Sequence, residues 1–302
     1  MGINRYKLKK WKDMILGKSI HHVNQNEGLI FSVDLVKGYY NNLTEKVTRR
    51  RIDDNSVPKS FIDSGDEIYF SIEIFQYGLG AYDLFLLNND KEMLKKAISC
   101  ANWAVENQKN KGAWPTFAFD NPTHPYSAMA QGEGISLLVR IYLATSEIRY
   151  LQVAKKAVEF MLLSIEDGGT AKYEGNNVYL YERTEDPLVL NGWIFSYWGL
   201  LDYWKITQDE KLNKILKQTI EAMKNLLSSF DIGYWSKYDI NKMICSPFYH
   251  RLHIAQLKVM YELTGEITFQ KYAEKWESYA KNYFYRFRAF ITKVYQKLME
   301  KN

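Results

Sequence analysis

Cysteine is nearly absent from the chain of 302 residues, which contains only Cys100 and Cys245, each in an apolar stretch. Two isolated thiols cannot build a disulfide framework, and they lack the spacing of a metal-binding motif. We therefore expect both to be buried free thiols. A glycine-rich phosphate loop and a Ser-His-Asp order are also missing, so the sequence predicts neither a metal nor a cofactor.

Long apolar segments are missing too. No stretch reaches membrane-spanning length without charges, and residues 1–20 are basic but have neither a long apolar core nor a small-residue cleavage site. These absences predict a cytoplasmic protein. A basic amphipathic helix at a membrane surface is one interpretation of residues 1–18, but an ordinary solvated helix is the stronger one, and a membrane surface is not an expected partner.

The chain has little excess charge of either sign, with a formal net charge of +5 at pH 7. Beyond the run TRRR at residues 48–51, no window has the dense lysine and arginine clustering of a nucleic-acid footprint. We therefore expect no nucleic-acid partner, whereas an acidic polymer is compatible with the charge. The sequence leaves open whether the chain forms a homodimer.

Aromatic residues, by contrast, are abundant, at 15% of the chain with 23 tyrosines. Such a content is typical of proteins that grip flat apolar faces such as sugar rings, and core packing explains it equally well. The apolar fraction of 46% is ample for a large core.

Four stretches of the chain share one plan. In each, a helix that is apolar on nearly every face precedes a short polar loop and an amphipathic helix. The period is roughly 55 to 60 residues, which indicates an internal repeat. The four apolar segments begin near Ile68, Tyr126, Val189 and Tyr249.

A helix that is apolar all round must be covered on both sides, whereas a striped helix covers one neighbour and faces water. The sequence therefore predicts a mainly α fold, an (α/α) toroid or partial barrel of helical hairpins with the apolar helices inside. Thr207 and Glu210 have capping-box spacing at the start of one outer helix. We divide the chain into an N-terminal extension at 1–60 with strands around GLIFSVDLV, the toroid at 61–290 and a C-terminal helix end or tail at 291–302.

The connectors from each outer helix to the next inner helix are long, and long loops in a compact domain are usually functional. They cover residues 108–127, 164–188 and 228–248 and should open on one face of the toroid. Alternation around Asn176 and Asn177 predicts a short β-hairpin in the second connector. We expect the functional site at this face.

A polar cluster, Gln131-Gly132-Glu133-Gly134, stands at the start of the second apolar helix. A tight helix crossing best explains the two glycines. Gln131 and Glu133 need polar partners once buried, and either a sugar hydroxyl or neighbouring backbone can supply them. Both are therefore candidate substrate-binding residues.

The segments YSAMAQGEGISLLVRIYLAT, VLNGWIFSYWGLLD and YHRLHIAQL, in this order along the chain, together resemble the C-terminal catalytic domain of the heparosan-glucuronate 5-epimerases. The similarity runs from about Trp114 to Lys281, and QYGLGAYD at 76–83 extends it upstream. The resemblance implies an (α/α) toroid that converts D-glucuronate to L-iduronate within an acidic polysaccharide.

The resemblance also implies that tyrosines act as acid and base, at Tyr181, Tyr238 and Tyr249. Inverting C5 of a hexuronate requires removal of a proton next to a carboxylate and the return of a proton from the opposite face, so two proton carriers are needed. A phenol can serve as the acid, and it can serve as the base where cations lower its pKa.

Donors and positive groups are also needed for the enediolate that forms on the substrate carboxylate. Besides Gln131 and Glu133, the candidate substrate-binding residues are Glu182, Arg183, Asn191, Asn241, Lys242, His250, Arg251 and His253. We favour the two histidines among the candidate cations. The chain departs from the family pattern at three positions. Leu180 stands where the family has an acidic residue before its tyrosine, and Asn241 and Ser246 stand where the family has arginines.

Three functions from different classes are compatible with these residues. The first is the epimerase. The second is a uronate lyase, which uses the same proton abstraction, or a glycoside hydrolase, which needs two carboxylates. The third is a carbohydrate-binding toroid without catalysis. The carboxylates available to a hydrolase are Glu133, Glu182, Glu185 and Asp186, and the indoles available for sugar stacking are Trp114, Trp193, Trp198 and Trp235.

Overall fold

A computed structural model describes residues 19, 22–50, 52, 56–62 and 64–299. Within these residues the protein contains ten α-helices and two short antiparallel β-hairpins. The helices are α1 Thr44–Thr48, α2 Ser71–Asn88, α3 Lys91–Asn107, α4 Ala128–Thr145, α5 Ile148–Met161, α6 Leu190–Thr207, α7 Glu210–Leu226, α8 Pro247–Thr264, α9 Ile267–Lys281 and α10 Tyr283–Met299. The strands are β1 Ser60–Phe61, β2 Glu67–Ile68, β3 Ala171–Glu174 and β4 Asn177–Leu180.

Four helical hairpins form the body of the protein, which confirms the mainly α toroid class predicted from the sequence. The inner helices α2, α4, α6 and α8 are each followed by an outer helix, and successive inner helices contact one another in chain order without closing a barrel. The inner helices are buried over most of their length, whereas each outer helix buries one face and exposes the opposite face.

The turn inside each hairpin is tight because the residue after the inner helix is left-handed. This residue is Asn89, Ser146, Gln208 or Gly265, with φ between 54° and 71°. A left-handed residue at this position satisfies carbonyls at the helix end and reverses the chain within a few residues. The short reversal explains why every outer helix packs on the inner helix that precedes it.

Caps at the outer helices differ in part from those predicted. The helix α7 is capped by Asp209, whose carboxylate accepts a hydrogen bond from the Leu212 amide at 2.9 Å. Thr207 is instead the last residue of α6, and its hydroxyl donates to the Tyr203 carbonyl. The capping-box assignment of Thr207 was therefore wrong, because α7 begins at Glu210, two residues later than the motif assumed.

A close crossing of α4 and α6 lies at the centre of the fold. A Cβ atom added to Gly132 would lie 2.6 Å from the Phe195 carbonyl oxygen, and one added to Gly199 would collide with the backbone of Gly132. The predicted interpretation of the glycines therefore holds at Gly132. Gly134 makes room instead for the indole of Trp114, 2.7 Å from its added Cβ.

The N-terminal region reaches the toroid as an irregular segment. An antiparallel bridge joins Glu27 and Asn41, and the predicted strands around GLIFSVDLV are absent from the described residues 28–36. Residues 1–18, where the sequence allows a basic helix, lie outside the described residues.

A buried arginine fixes this segment to the toroid. The guanidinium of Arg140 pairs with Asp202 at 2.5 Å and donates to the carbonyls of Lys37 and Gly38 at 3.0 Å each. The Tyr40 hydroxyl donates to the same carboxylate at 2.7 Å. Because the ion pair is fully buried and every contact is charge-assisted, residues 37–40 are held tightly against α4 and α6.

Two other features differ from or refine the sequence-based boundaries. The hairpin of β3 and β4 forms as predicted, with Glu174 opposite Asn177, so its turn lies at Gly175 and Asn176, one residue earlier than expected. The boundary at residue 290 falls inside α10, which runs continuously through it.

The glycine crossing gives a stability prediction. Replacing Gly199 by alanine places a methyl group against the backbone of α4, so the two helices must separate, and we expect the free energy of unfolding to fall by about 2 kcal/mol or more. Chemical denaturation followed by circular dichroism measures the change. Lys217→Ala, at an exposed position of the outer helix α7, is the control and should change stability by less than about 0.5 kcal/mol. A Gly199→Ala variant as stable as this control would contradict the role of the crossing.

Candidate active-site cleft

The long connectors and the N-terminal ends of the four inner helices enclose an open cleft of about 640 Å³ on one face of the toroid. First-turn or second-turn residues of α2, α4, α6 and α8 form its floor, and residues from three loops and the β1–β2 hairpin form its walls. The cleft lies on the face where the sequence predicts the functional site. Its polar lining residues discussed below are Lys46, Glu73, Gln76, Asp120, Glu182, Arg183, Asn191, Tyr238 and Tyr249.

Glu182 lines the cleft from the connector that follows β4. A Cβ atom added to Gly192 would lie 2.7 Å from Oε2 of Glu182. Gly192, the glycine of VLNG, therefore makes room for this carboxyl group beside the start of α6. Oε2 is buried and has no hydrogen-bond partner among the described residues. Burial raises the pKa of Glu182 from 4.5 to about 7, although the Arg183 charge opposes the shift.

Tyr238 and Tyr249 stand against each other in the same cleft, with ring centroids 4.8 Å apart in an edge-to-face arrangement. Tyr238 comes from the connector before α8, and Tyr249 lies in the first turn of α8. Burial raises the pKa of both phenols well above the usual value, and the charge of Glu182 raises both further. The two hydroxyl groups are therefore neutral at physiological pH and can donate a proton.

A buried ion triad lies beside these groups. Glu73 accepts from Lys46 and from Arg50 at 2.6 Å each, and all three side chains are almost fully buried. Lys46 and Glu73 line the cleft. Desolvation lowers the pKa of Lys46, and the contact with Glu73 opposes this shift. The triad gives one side of the cleft a net positive charge.

Polar groups without partners cluster under the floor of the cleft. Gln76 donates to Glu133 at 2.8 Å, which leaves the second carboxyl oxygen of Glu133 unsatisfied among the described residues. Desolvation raises the pKa of Glu133 well above its usual value. The side-chain oxygen of Asn191, which lines the cleft, and both amide atoms of Gln131 are also unpartnered among the same residues. Buried polar atoms of this kind need hydrogen-bond partners from water or a ligand.

Arg183 and phenylalanines form the rim of the cleft. The Arg183 guanidinium lies 3.8 Å from the centre of the Phe117 ring and bonds Asp120 at 2.8 Å. The rings that line the cleft are Phe61, Phe70, Phe117, Phe119, Phe195 and Phe248. The four tryptophans considered for sugar stacking are instead core residues, each no more than 3% exposed. Apolar surface for a sugar ring is therefore supplied by phenylalanine.

Tyr181 does not line the cleft. Alternate residues of an extended chain point to opposite sides. Tyr181, which extends the β4 ladder through a bond from its amide to Thr170, therefore faces away from Glu182. Its phenol lies near Lys172, whose charge opposes the increase in pKa caused by burial. The structure thus brings Glu182, not Tyr181, to the two other tyrosines.

The two histidines expected to hold substrate lie in the core. His250 contacts Ser236 at 2.8 Å and the Trp276 carbonyl at 3.0 Å, and its ring stacks on Trp235. Desolvation lowers the pKa of His250 and of His253 to about 3, so neither is a cation at neutral pH. Three further candidates are exposed outside the cleft lining: Asn241, Lys242 and Arg251.

Several polar cleft residues were not singled out from the sequence, among them Lys46, Glu73 and His22. Lys46 and Glu73 lie 27 positions apart, and no local pattern connects them. The ring of His22 packs edge-on against Phe248 and Tyr249, so His22 is separated even further along the chain from the residues that it contacts. The only local signal was the basic run at 48–51, which contains Arg50 of the ion triad.

The helical hairpins and the polar cleft at one end define an (α/α) toroid protein with an acidic and phenolic site. The family model for the D-glucuronyl C5-epimerase C-terminus matches residues 101–278, more than half of the chain. The chain belongs to this family, as the resemblance in its sequence predicted.

The chain spans about a third to a half of the length of the curated relatives that it matches. It is 28% identical over 211 residues to a D-glucuronyl C5-epimerase of Caenorhabditis elegans, covering 60% of this chain and 34% of that protein. It is 30% identical over 155 residues to an uncharacterized protein of Methanocaldococcus jannaschii, covering 49% and 50%. An unsaturated glucuronyl hydrolase from Bacillus sp. GL1 superposes with a TM-score of 0.49 at 12% identity, covering 69% of this chain and 61% of that one.

The raised pKa of Glu182 predicts a dependence of stability on pH. Between about pH 4.5 and 7 the folded protein keeps a proton that the unfolded chain has lost, so this group makes stability fall as pH rises. Glu182→Gln removes the titration. We therefore expect the free energy of unfolding of the variant, relative to the wild type, to increase across this range and to level off above it.

Urea denaturation at several pH values measures this difference. Glu166→Gln is the matched control because Glu166 is an exposed carboxyl group of the same connector. A Glu182→Gln difference that is equal at the two ends of the range would show that Glu182 is not a buried, proton-retaining group.

Proposed function

We propose that the protein exchanges the C5 proton of a hexuronate residue within a polysaccharide or glycan and so inverts this carbon, with Glu182 as the base and the Tyr238–Tyr249 pair as the acid. The observation that carries the proposal is the meeting of these three groups in one open cleft. Membership in the C5-epimerase family supports the reaction class.

Glu182 is suited to remove a proton near neutral pH. A general base works best when its pKa is close to the working pH, because it is then both ionised and basic. With a pKa of about 7, Glu182 meets this condition, whereas an ordinary carboxylate is a much weaker base. In the family, tyrosines are the proton carriers, and here Glu182 takes over the role that the resemblance assigned to Tyr181.

The two phenols are suited to return a proton. Burial and the nearby Glu182 charge keep both in the neutral form, so neither is a base at rest. A hydrogen bond from Tyr238 acts to lower the pKa of Tyr249, which helps Tyr249 to give up its proton. Because the carboxyl group and the phenols differ in pKa, Glu182 is suited to act as the base and the neutral phenols are suited to act as the acid.

The floor and walls of the cleft favour a sugar acid. The first turns of the inner helices direct the positive ends of their dipoles into the cleft, and Lys46 and Arg183 line it. These groups would hold the substrate carboxylate and stabilise the enediolate that forms from it. Asn191 would receive a sugar hydroxyl at its unpartnered oxygen, and the phenylalanine rim would cover the apolar face of the ring.

The reaction proceeds in balanced steps. Glu182 takes the C5 proton while the C5–H electron pair moves into the substrate carboxylate as an enediolate. A phenol then donates its proton to the opposite face of C5, and the electron pair returns to form the new C–H bond. Transfer of the proton from Glu182 to the resulting phenolate, its neighbour in the cleft, restores the starting state.

Deuterium exchange tests the proposal. Incubating the protein with glucuronate-containing polysaccharides such as heparosan in deuterated water should place deuterium at C5 without cleaving the chain. Glu182→Gln and Tyr249→Phe should each lower the initial exchange rate by about a hundredfold or more, as expected for loss of a general base or acid. Mass spectrometry and NMR of the recovered polysaccharide measure the exchange.

Tyr181→Phe is the matched control, since it removes a hydroxyl group from the same connector outside the cleft. Its exchange rate should stay close to that of the wild type. Loss of exchange in Tyr181→Phe together with full activity of Glu182→Gln would overturn the assignment of the base.

The same assay separates the alternative activities. Appearance of an unsaturated uronate, detected by its ultraviolet absorbance, would identify a lyase, and shorter saturated chains would identify a hydrolase acting through two of the three cleft carboxyl groups, Glu73, Asp120 and Glu182. Glycan binding without any exchange or cleavage would leave a carbohydrate-binding protein and refute the proposed reaction.

A further inference from the structure

The last helix, α10, carries an unusual exposed face. Its residues 283–299 include no aspartate or glutamate and four basic residues. Large apolar or aromatic side chains project into solvent along the whole helix, with Phe284 79% exposed and Tyr283 71% exposed. The exposed set comprises Tyr283, Phe284, Phe287, Phe290, Ile291 and Tyr295. A contiguous exposed face of this size on a soluble domain marks an interaction site.

The apolar side chains form a stripe. Phe284, Phe287, Ile291 and Tyr295 follow one another at intervals of three and four residues, so they lie on one side of the helix. Phe290 borders this stripe. The geometry is that of an amphipathic helix whose apolar side faces away from the protein.

The opposite side of α10 fixes the helix to the toroid. Ala289 is buried, and Gln296 accepts a hydrogen bond from the Ile244 amide at 2.9 Å and donates to the Lys242 carbonyl at 2.6 Å. Lys293 donates to the Ile244 carbonyl at 2.6 Å. Since polar bonds already hold this side, the exposed aromatic stripe is not needed to attach the helix.

Positive charge flanks the stripe. Arg286 and Arg288 are exposed, and the guanidinium of Arg288 lies 3.9 Å from the centre of the Tyr234 ring. Because the helix has no acidic residue, these charges are not neutralised within it.

The charges of α10 indicate which kind of partner its exposed face can bind. Pairing α10 with the same helix of a second copy would place arginines and lysines against each other without an acidic residue on either helix. The N-terminal segment 1–18 is itself rich in lysine and arginine, so it does not complement the face either. Aromatic side chains between basic residues match the boundary between headgroups and acyl chains of an anionic lipid bilayer.

We propose that α10 is a membrane-surface helix that inserts its aromatic stripe among the headgroups of an anionic bilayer, with Arg286 and Arg288 on the lipid phosphates. The helix would lie in the plane of the bilayer, since no described helix is both long and apolar enough to cross it. A membrane partner was not expected from the sequence, because the periodicity of residues 283–299 is equally that of a buried helix and only the structure reveals which side is exposed.

The position of α10 connects membrane docking to the cleft. The helix bonds residues 242–244, and Met243 accepts the amide of Tyr238 at 2.6 Å. The helix that would meet the bilayer therefore also supports the connector that carries Tyr238.

Vesicle sedimentation tests the proposal with the full chain. The wild type should bind vesicles that contain about a third of phosphatidylglycerol and should not bind pure phosphatidylcholine, and salt should weaken the binding. The triple variant Phe284→Ser/Phe287→Ser/Ile291→Ser should lose at least about tenfold in partition coefficient. Arg286→Gln/Arg288→Gln should lose about fivefold for each charge removed.

Leu35→Ser/Ile267→Ser is the matched control, because both side chains are exposed and apolar but lie outside α10. It should bind as the wild type does, and circular dichroism should show that all variants are folded. Three results would overturn the proposal: a wild type that does not bind anionic vesicles, α10 variants that bind undiminished, or a wild-type dimer that becomes monomeric in the triple variant without any vesicle binding.

Discussion

The crossing of α4 and α6 at Gly132 and Gly199 is the contact on which the rest of the structure depends. Only two residues without side chains allow the inner helices to approach until backbone meets backbone. That approach brings the beginnings of α4 and α6 together at one face. Gly192, about two turns before Gly199 in α6, leaves the space in which Glu182 is held. Helix packing and the position of the proposed base therefore arise from one constraint.

The same close packing determines the chemistry of the cleft. Burial raises the pKa of the carboxyl and phenol groups alike, but from different starting values. Glu182 is moved into the range where it can exchange protons at neutral pH, whereas Tyr238 and Tyr249 are moved further from ionisation. The same environment thus gives a carboxyl group suited to act as a base and phenols that stay protonated. The ion triad around Glu73 keeps positive charge near them.

The repeat, the inner helices and the β-hairpin could be predicted because each is encoded by residues close together in the chain. Tyr238 and Tyr249 could be expected at the open face from their positions beside inner helices, and both line the cleft, while their role there stays a prediction. Tyr181 and Glu182 could not be told apart, since they are adjacent and only the alternation of the strand decides which one faces inward. The pairing of Lys46 with Glu73 was beyond local pattern analysis, because it joins a separate N-terminal segment to α2.

The four left-handed hairpin turns have a consequence for the tolerance of the scaffold to heat. Only one of them uses glycine, at position 265, while Ser146 adopts the same conformation at a steric cost of about 1 kcal/mol. Gln208 adopts the left-handed conformation as well, and its side-chain amide offsets part of its own steric cost by donating to the Trp204 and Lys205 carbonyls. A relative with glycine at these turns would therefore be more thermostable through changes at the end of the molecule remote from the cleft.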